Sequence, residues 1–85
     1  MAIDILYFAW VREGVGVSSE RVDPPAAITD VAGLIAWLAD RSDGHARALA
    51  DRSRLRAAID QTFVGLDAPI ADAREIAIFP PVTGG

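Results

Sequence analysis

The sequence predicts an α+β fold, a roll in which a mixed sheet carries one main helix on one face. Three features of the 85-residue chain support that expectation. Several stretches alternate apolar and polar residues with period two, and a single stretch repeats apolar residues at helical spacing. The elements also run strand, strand, helix, strand, short connection, strand. Placing the first and last strands side by side in parallel puts the helix in the crossover between them, where its apolar stripe can be buried.

The first strand is expected over residues 3–10, with Ile3, Ile5 and Tyr7 on one side and Asp4, Leu6 and Phe8 on the other. Gly14 and Gly16 then supply a turn, so that residues 17–23 return antiparallel as a hairpin that Pro24-Pro25 ends. Thr29 and Asp30 offer side-chain oxygens to cap exposed amides. Val31, Leu34, Ile35 and Leu38 follow at i, i+3, i+4 and i+7, which predicts a helix over 29–42. Trp37 falls off that stripe, at the helix edge.

Ser42-Asp43-Gly44 reads as the helix stop, and residues 45–53, rich in Ala and Arg with no apolar face, read as a loop with about one helical turn. His45 is the single histidine. With no second ligand or base near it in the sequence, it is assigned to the surface and given no chemistry. Leu55, Ala57 and Ile59 alternate against Arg56, Ala58 and Asp60, a third strand running to about Val64. Gly65 and the Asp67-Ala68-Pro69 turn break it. Residues 74–79 form the last strand, with Ile76 and Ile78 on one side and Glu75, Ala77 and Phe79 on the other.

Composition narrows the function. A chain of this size buries only about 60–65% of its unfolded surface and has no room for a deep catalytic cleft. It contains no Ser/His/Asp constellation and no phosphate-binding Gly-Lys loop. Eight Lys plus Arg, all arginine, stand against twelve Asp plus Glu, for a net charge of −4. Nucleic acid would need a concentrated basic face, and the Arg52, Arg54, Arg56 run reads as a solvated one. No apolar run approaches a membrane span, and Met1-Ala2-Ile3-Asp4 lacks a basic leader, so a cytoplasmic setting is expected. With no cysteine there is no disulfide, no thiolate metal site and no persulfide chemistry on the chain. No metal site is expected.

The C-terminal run Phe79-Pro80-Pro81-Val82-Thr83-Gly84-Gly85 organises the rest. The prolines lack amide donors and stiffen the exit of the last strand. Residues 82–85 read as a flexible tail on a domain of residues 1–81. Gly84 and Gly85 have no Cβ and present the narrowest cross-section, so with Val82 and Thr83 they could thread a tight tunnel. Four residues reach at most about 13 Å. A frayed, inert end is the alternative. Phe8 and Phe79 lie near the ends of adjacent strands on the outward face, an apolar patch beside the tail exit. Phe63 shares the parity of Leu55 and Ile59, and only a bulge would turn it outward.

Tyr7-Phe8-Ala9-Trp10-Val11-Arg12-Glu13 with its following glycine, Ile59-Asp60-Gln61, Arg74-Glu75-Ile76-Ala77 and the run from Phe79 to Gly85 together resemble the small, sulfur-carrier subunits of molybdopterin synthases. The resemblance covers essentially the whole chain. It implies a ubiquitin-like β-grasp fold, consistent with the roll. It implies that Gly85 is adenylated by a ubiquitin-activating-type adenylyltransferase and converted to a thiocarboxylate with sulfur from a donor protein. The tail would then enter the large synthase subunit, in a heterotetramer, and supply sulfur for the dithiolene made from cyclic pyranopterin monophosphate.

No bound cofactor is implied; the acyl-adenylate and thiocarboxylate are covalent states of the chain, which acts as cosubstrate. Phe8, Phe63 and Phe79 are implied as an apolar docking surface and Arg12 as a polar contact near the tail. Two departures stand out. Asp60 occupies a position where asparagine is more familiar, and Asp72-Ala73-Arg74 replaces the usual acidic-glycine turn. Carriers for thiamine or tRNA thiolation, and a ubiquitin-like protein modifier, are the alternative readings.

Overall fold

The computed structural model describes residues 2–81. Its elements are β1 (Ile3–Tyr7), α1 (Ala9–Val15), β2 (Ser19–Val22), α2 (Val31–Ala39), α3 (Asp43–Ala48), a 3₁₀ turn (Arg52–Arg54), β3 (Arg56–Ile59), β4 (Thr62–Val64) and β5 (Glu75–Phe79). The sheet order is β2-β1-β5-β3-β4. β1 and β5 are parallel, the arrangement that puts α2 in the crossover between them, and the other pairings are antiparallel. Ile5 pairs with Ile76 and Tyr7 with Ile78. Their side chains therefore share one face, and Ile3, Ile5, Tyr7, Ile76 and Ile78 are all buried. Val31, Leu34, Ile35 and Leu38 of α2 join the same core. Asp30 caps α2, its Oδ1 accepting from the Gly33 amide at 2.8 Å. Trp37 is half-buried at the helix edge, with the Arg41 guanidinium 5.4 Å from its ring centroid.

Two further helices replace stretches expected to be irregular. β1 stops at Tyr7, three residues before the predicted end, and α1 fills what was read as a glycine turn. Val11 is buried and Val15, one turn on, packs on the core, so tertiary burial overrides the glycine signal. Gly14 lies inside the helix. Gly16, at φ 97°, ends it in the left-handed region, and its amide donates to Arg12 O at 2.8 Å. The hairpin with β2 forms beyond this insertion.

Residues 42–44 begin a helix instead of only ending one. Ser42 is the N-cap of α3, accepting from the His45 amide at 3.1 Å. A Cβ on Gly44 would stand 2.5 Å from Gly14 O, and one on Gly14 would stand 2.8 Å from Ala48 Cβ. The Ala- and Gly-rich composition that hides an apolar face lets α1 and α3 approach backbone to backbone.

His45 is buried, which corrects its surface assignment. Its Nε2 lies 2.6 Å from Glu20 Oε2 and its Nδ1 2.7 Å from Ser42 Oγ. Tyr7 OH donates to the same Glu20 oxygen at 2.6 Å, and Arg41 Nε stands 3.4 Å from Oε1. These contacts tie β1, β2 and α3 together. Burial pushes the Glu20 carboxyl up, but hydrogen bonds from His45 and Tyr7, with the nearby His45 and Arg41 charges, outweigh it and hold the group below its ordinary value. Burial and the Glu20 contact push the Tyr7 phenol up. The acid partner is 25 residues away, beyond what a local reading of His45 can reach.

The expected third strand is a hairpin. Asp60 and Gln61 sit at φ 48° and 71°, a two-residue turn with both φ positive, and Ile59 pairs with Thr62 across it. Such a turn inverts side-chain parity. Phe63 pairs with Ala58, not with the inward set, so it faces outward without a bulge. Asp60 Oδ1 accepts from the amides of Arg74 at 3.1 Å and Glu75 at 2.9 Å, fastening the hairpin to the start of β5. One oxygen makes both bonds, and asparagine offers the same acceptor. The Asp72-Ala73-Arg74 turn is built around Ala73, which is buried and donates to Ile70 O at 3.1 Å.

Candidate functional site

Alternation along β1, β3 and β5 leaves a second set of residues on the face of the sheet opposite the core. Ala58 and Ala77 are paired partners there and form a shallow floor. Phe8, 46% exposed, stands on one side, and Phe63, 77% exposed, stands on the other. The half-buried Phe79 packs against Phe63, with ring centroids 5.7 Å apart and planes tilted by 45°. Exposure of that size for a phenylalanine is unusual in a folded domain unless the surface is used.

Local geometry explains each wall. Ala9 occupies the left-handed region at φ 54°, and Phe8 O accepts from the amides of Val11 at 3.1 Å and Arg12 at 3.3 Å. The chain thus leaves the sheet directly after Phe8, which stays at the groove's rim. For a non-glycine residue this conformation costs about 1–2 kcal/mol. Phe63 is placed by the inverted parity of the Asp60-Gln61 turn. Phe79 is the last residue of β5, and Pro80 and Pro81, which cannot donate to a ladder, complete the groove.

The groove is almost wholly apolar. Among the described residues its lining is Phe8, Ala9, Ala58, Gln61, Phe63, Ala77, Phe79, Pro80 and Pro81, of which the Gln61 amide is the one polar side chain. Among the described residues that line it, none is a nucleophile, acid or base.

The structure brings Phe8, Phe63 and Phe79 together but places Arg12 elsewhere, exposed on α1 and outside the lining. Val82, Thr83, Gly84 and Gly85, which carry the tail expectations, lie outside the described residues. Two contributors were missed by the sequence reading. The alanine floor was visible in the outward parity of Ala58 and Ala77. Arg56, which flanks Phe63 and Phe79 on the far side, had been read only as part of a solvated arginine run.

The element order, the parallel β1–β5 pair and the helix across the core face define a ubiquitin-like β-grasp domain, with an apolar groove where the chain leaves its central strand. The ThiS family matches residues 5–85. The molybdopterin synthase sulfur carrier subunit of Escherichia coli (strain K12) is 46% identical over 83 residues, which cover 98% of this chain and 99% of that one. Among solved structures, SAMP1 from Haloferax volcanii superposes with a TM-score of 0.72 at 24% identity, covering all of both chains. A protein–protein complex of subunits 1 and 2 of the molybdopterin-converting factor from Helicobacter pylori contains a chain matching at TM-score 0.64 and 22% identity, again over all of both chains. At these identities the two structures show the fold alone. The chain belongs to the ThiS family, and within it to the molybdopterin synthase sulfur carrier subunits.

Proposed function

We propose that this chain carries sulfur on the carboxyl group of Gly85 and delivers it to cyclic pyranopterin monophosphate inside a large synthase subunit. The observation that carries the reading is the aromatic groove beside Pro80-Pro81, the point from which residues 82–85 continue.

A carboxylate is a poor acyl donor because its leaving group would be oxide. Adenylation with ATP by an activating enzyme, releasing pyrophosphate, makes AMP the leaving group, and sulfide released by a donor protein then attacks the acyl carbon and expels AMP to leave the thiocarboxylate. Docking of Phe8, Phe63 and Phe79 holds the body outside the partner while Val82, Thr83, Gly84 and Gly85 reach inward by up to about 13 Å. The chain supplies the sulfur and its position; the catalytic groups belong to its partners. The complex of subunits 1 and 2 of the molybdopterin-converting factor from Helicobacter pylori supports a large subunit as the docking partner.

Phe79→Ala tests the docking step. It is expected to weaken association with the large subunit by about 1–3 kcal/mol, the range of a modest aromatic hot spot, with little change in melting temperature. A collapse in thermal stability with unchanged affinity of the folded fraction would assign Phe79 to the core instead.

A further inference from the structure

The outward face of the sheet has a charge polarity along β5. In the strand register Asp4 lies beside Glu75, Leu6 beside Ala77 and Arg56 beside Phe79. Ala58 and Phe63 extend the middle row. From Glu75 to Phe79 the face therefore passes from carboxylates through small apolar residues to aromatic rings and a guanidinium, over about 13 Å.

The two poles differ in how their charges are held. At the acidic end Asp4 pairs with Arg21 at 2.8 Å, Asp60 is engaged by backbone amides, and Arg74 lines the same surface depression as Asp4, Asp60 and Glu75, leaving three carboxylates against two guanidinium groups. Among the described residues, neither Glu75 nor Arg56 has an ionic partner. Arg56 Nη1 donates to Leu55 O at 2.8 Å and Ser53 O at 3.2 Å, which fixes the guanidinium at the groove's edge beside Phe63 and Phe79. Its Nε and Nη2 make no hydrogen bond within the described residues. A guanidinium already held in place loses little entropy when it donates to a carboxylate, and a partner seated over Phe63 and Phe79 would exclude competing water from the pair.

Resting on the docking reading above, we propose that Arg56 and Glu75 set the orientation in which the large subunit seats on this face. Arg56 donates to a carboxylate of that partner at the Phe79 end of β5, and Glu75 meets a basic group at the far end. The aromatic trio carries no charge, so it adds no electrostatic preference for one seating over another. Opposite charges at the two ends favour the one that points the tail into its pocket, and the reversed seating sets like charges together.

The test titrates the full-length chain with its own large subunit at low and high salt, with a melting curve for each variant. Arg56→Gln is expected to weaken binding by about threefold to tenfold and Arg56→Glu by more than about tenfold at low salt. Glu75→Arg should lose a similar factor, and each variant should show a shallower salt dependence than the parent. If Arg56→Glu and Glu75→Arg bind like the parent while Phe79→Ala is weakened, the docking face stands and its polarity is wrong. If Phe79→Ala is also unchanged, the docking face itself falls, and this inference with it.

Discussion

A chain extended by a single uncleaved residue past Gly85 should lose sulfur transfer by at least about 100-fold while folding normally. The reacting carbon in this account is the Gly85 carboxyl carbon, and an added residue converts it to an amide that cannot be adenylated. The new terminal carboxylate also sits one residue, about 3.5 Å, too far along for a partner pocket sized to the native end. Misplacement of a reacting group by even 1 Å can cost about 100-fold. The fold should not notice the change, because the core is closed by residues up to Ile78, which is fully buried. Activity should be compared in a reconstituted transfer assay, with stability followed by thermal melting. Transfer at the parent rate in the extended chain would remove Gly85 from the chemistry.

Glu20→Ala should cost about 2–3 kcal/mol of folding stability at pH 7, since it leaves the buried Tyr7 hydroxyl and His45 Nε2 without their shared acceptor. The loss is pH-dependent with a definite sign. The Glu20 carboxyl is held below its ordinary value of 4.5 in the folded chain. Its contribution is therefore fully present above pH 4.5 and disappears as the pH falls through the lowered folded value. The gap between parent and variant in denaturant titrations should narrow steadily below pH 4.5. Equal stability at pH 7, or a gap that stays constant into acid, would mean that the Tyr7–Glu20–His45 contacts do not hold α3 to the sheet.

The periodic elements were legible in the sequence, and the positional ones were not. β1, β5 and α2 each bury one face, and their spacing alone places Ile3, Ile5, Tyr7, Ile76, Ile78 and the stripe from Val31 to Leu38 in the core. α1 and α3 escaped because they are short and pack through Gly14, Gly44 and Ala48, residues whose lack of bulk is the packing feature. Local rules read those glycines as turns. The hairpin at Asp60-Gln61 escaped because neither residue is glycine, although both adopt positive φ. That turn also decides the groove. Strand parity carried straight through it would send Phe63 inward, and the structure turns it outward beside Phe79. Phe8 and Phe79 needed only alternation. Arg56 needed its register with Phe79, which no single strand can supply.

The most direct test of the account is the intact mass of the chain after incubation with its activating enzyme, ATP and sulfur donor, then again after addition of the large subunit and cyclic pyranopterin monophosphate. The first step should add about 16 Da, one sulfur in place of one oxygen. The second should return the chain to its starting mass as the sulfur passes to the pterin. A chain whose mass never rises, or one recovered joined through Gly85 to lysines of other proteins with no sulfur gained, would contradict sulfur carriage.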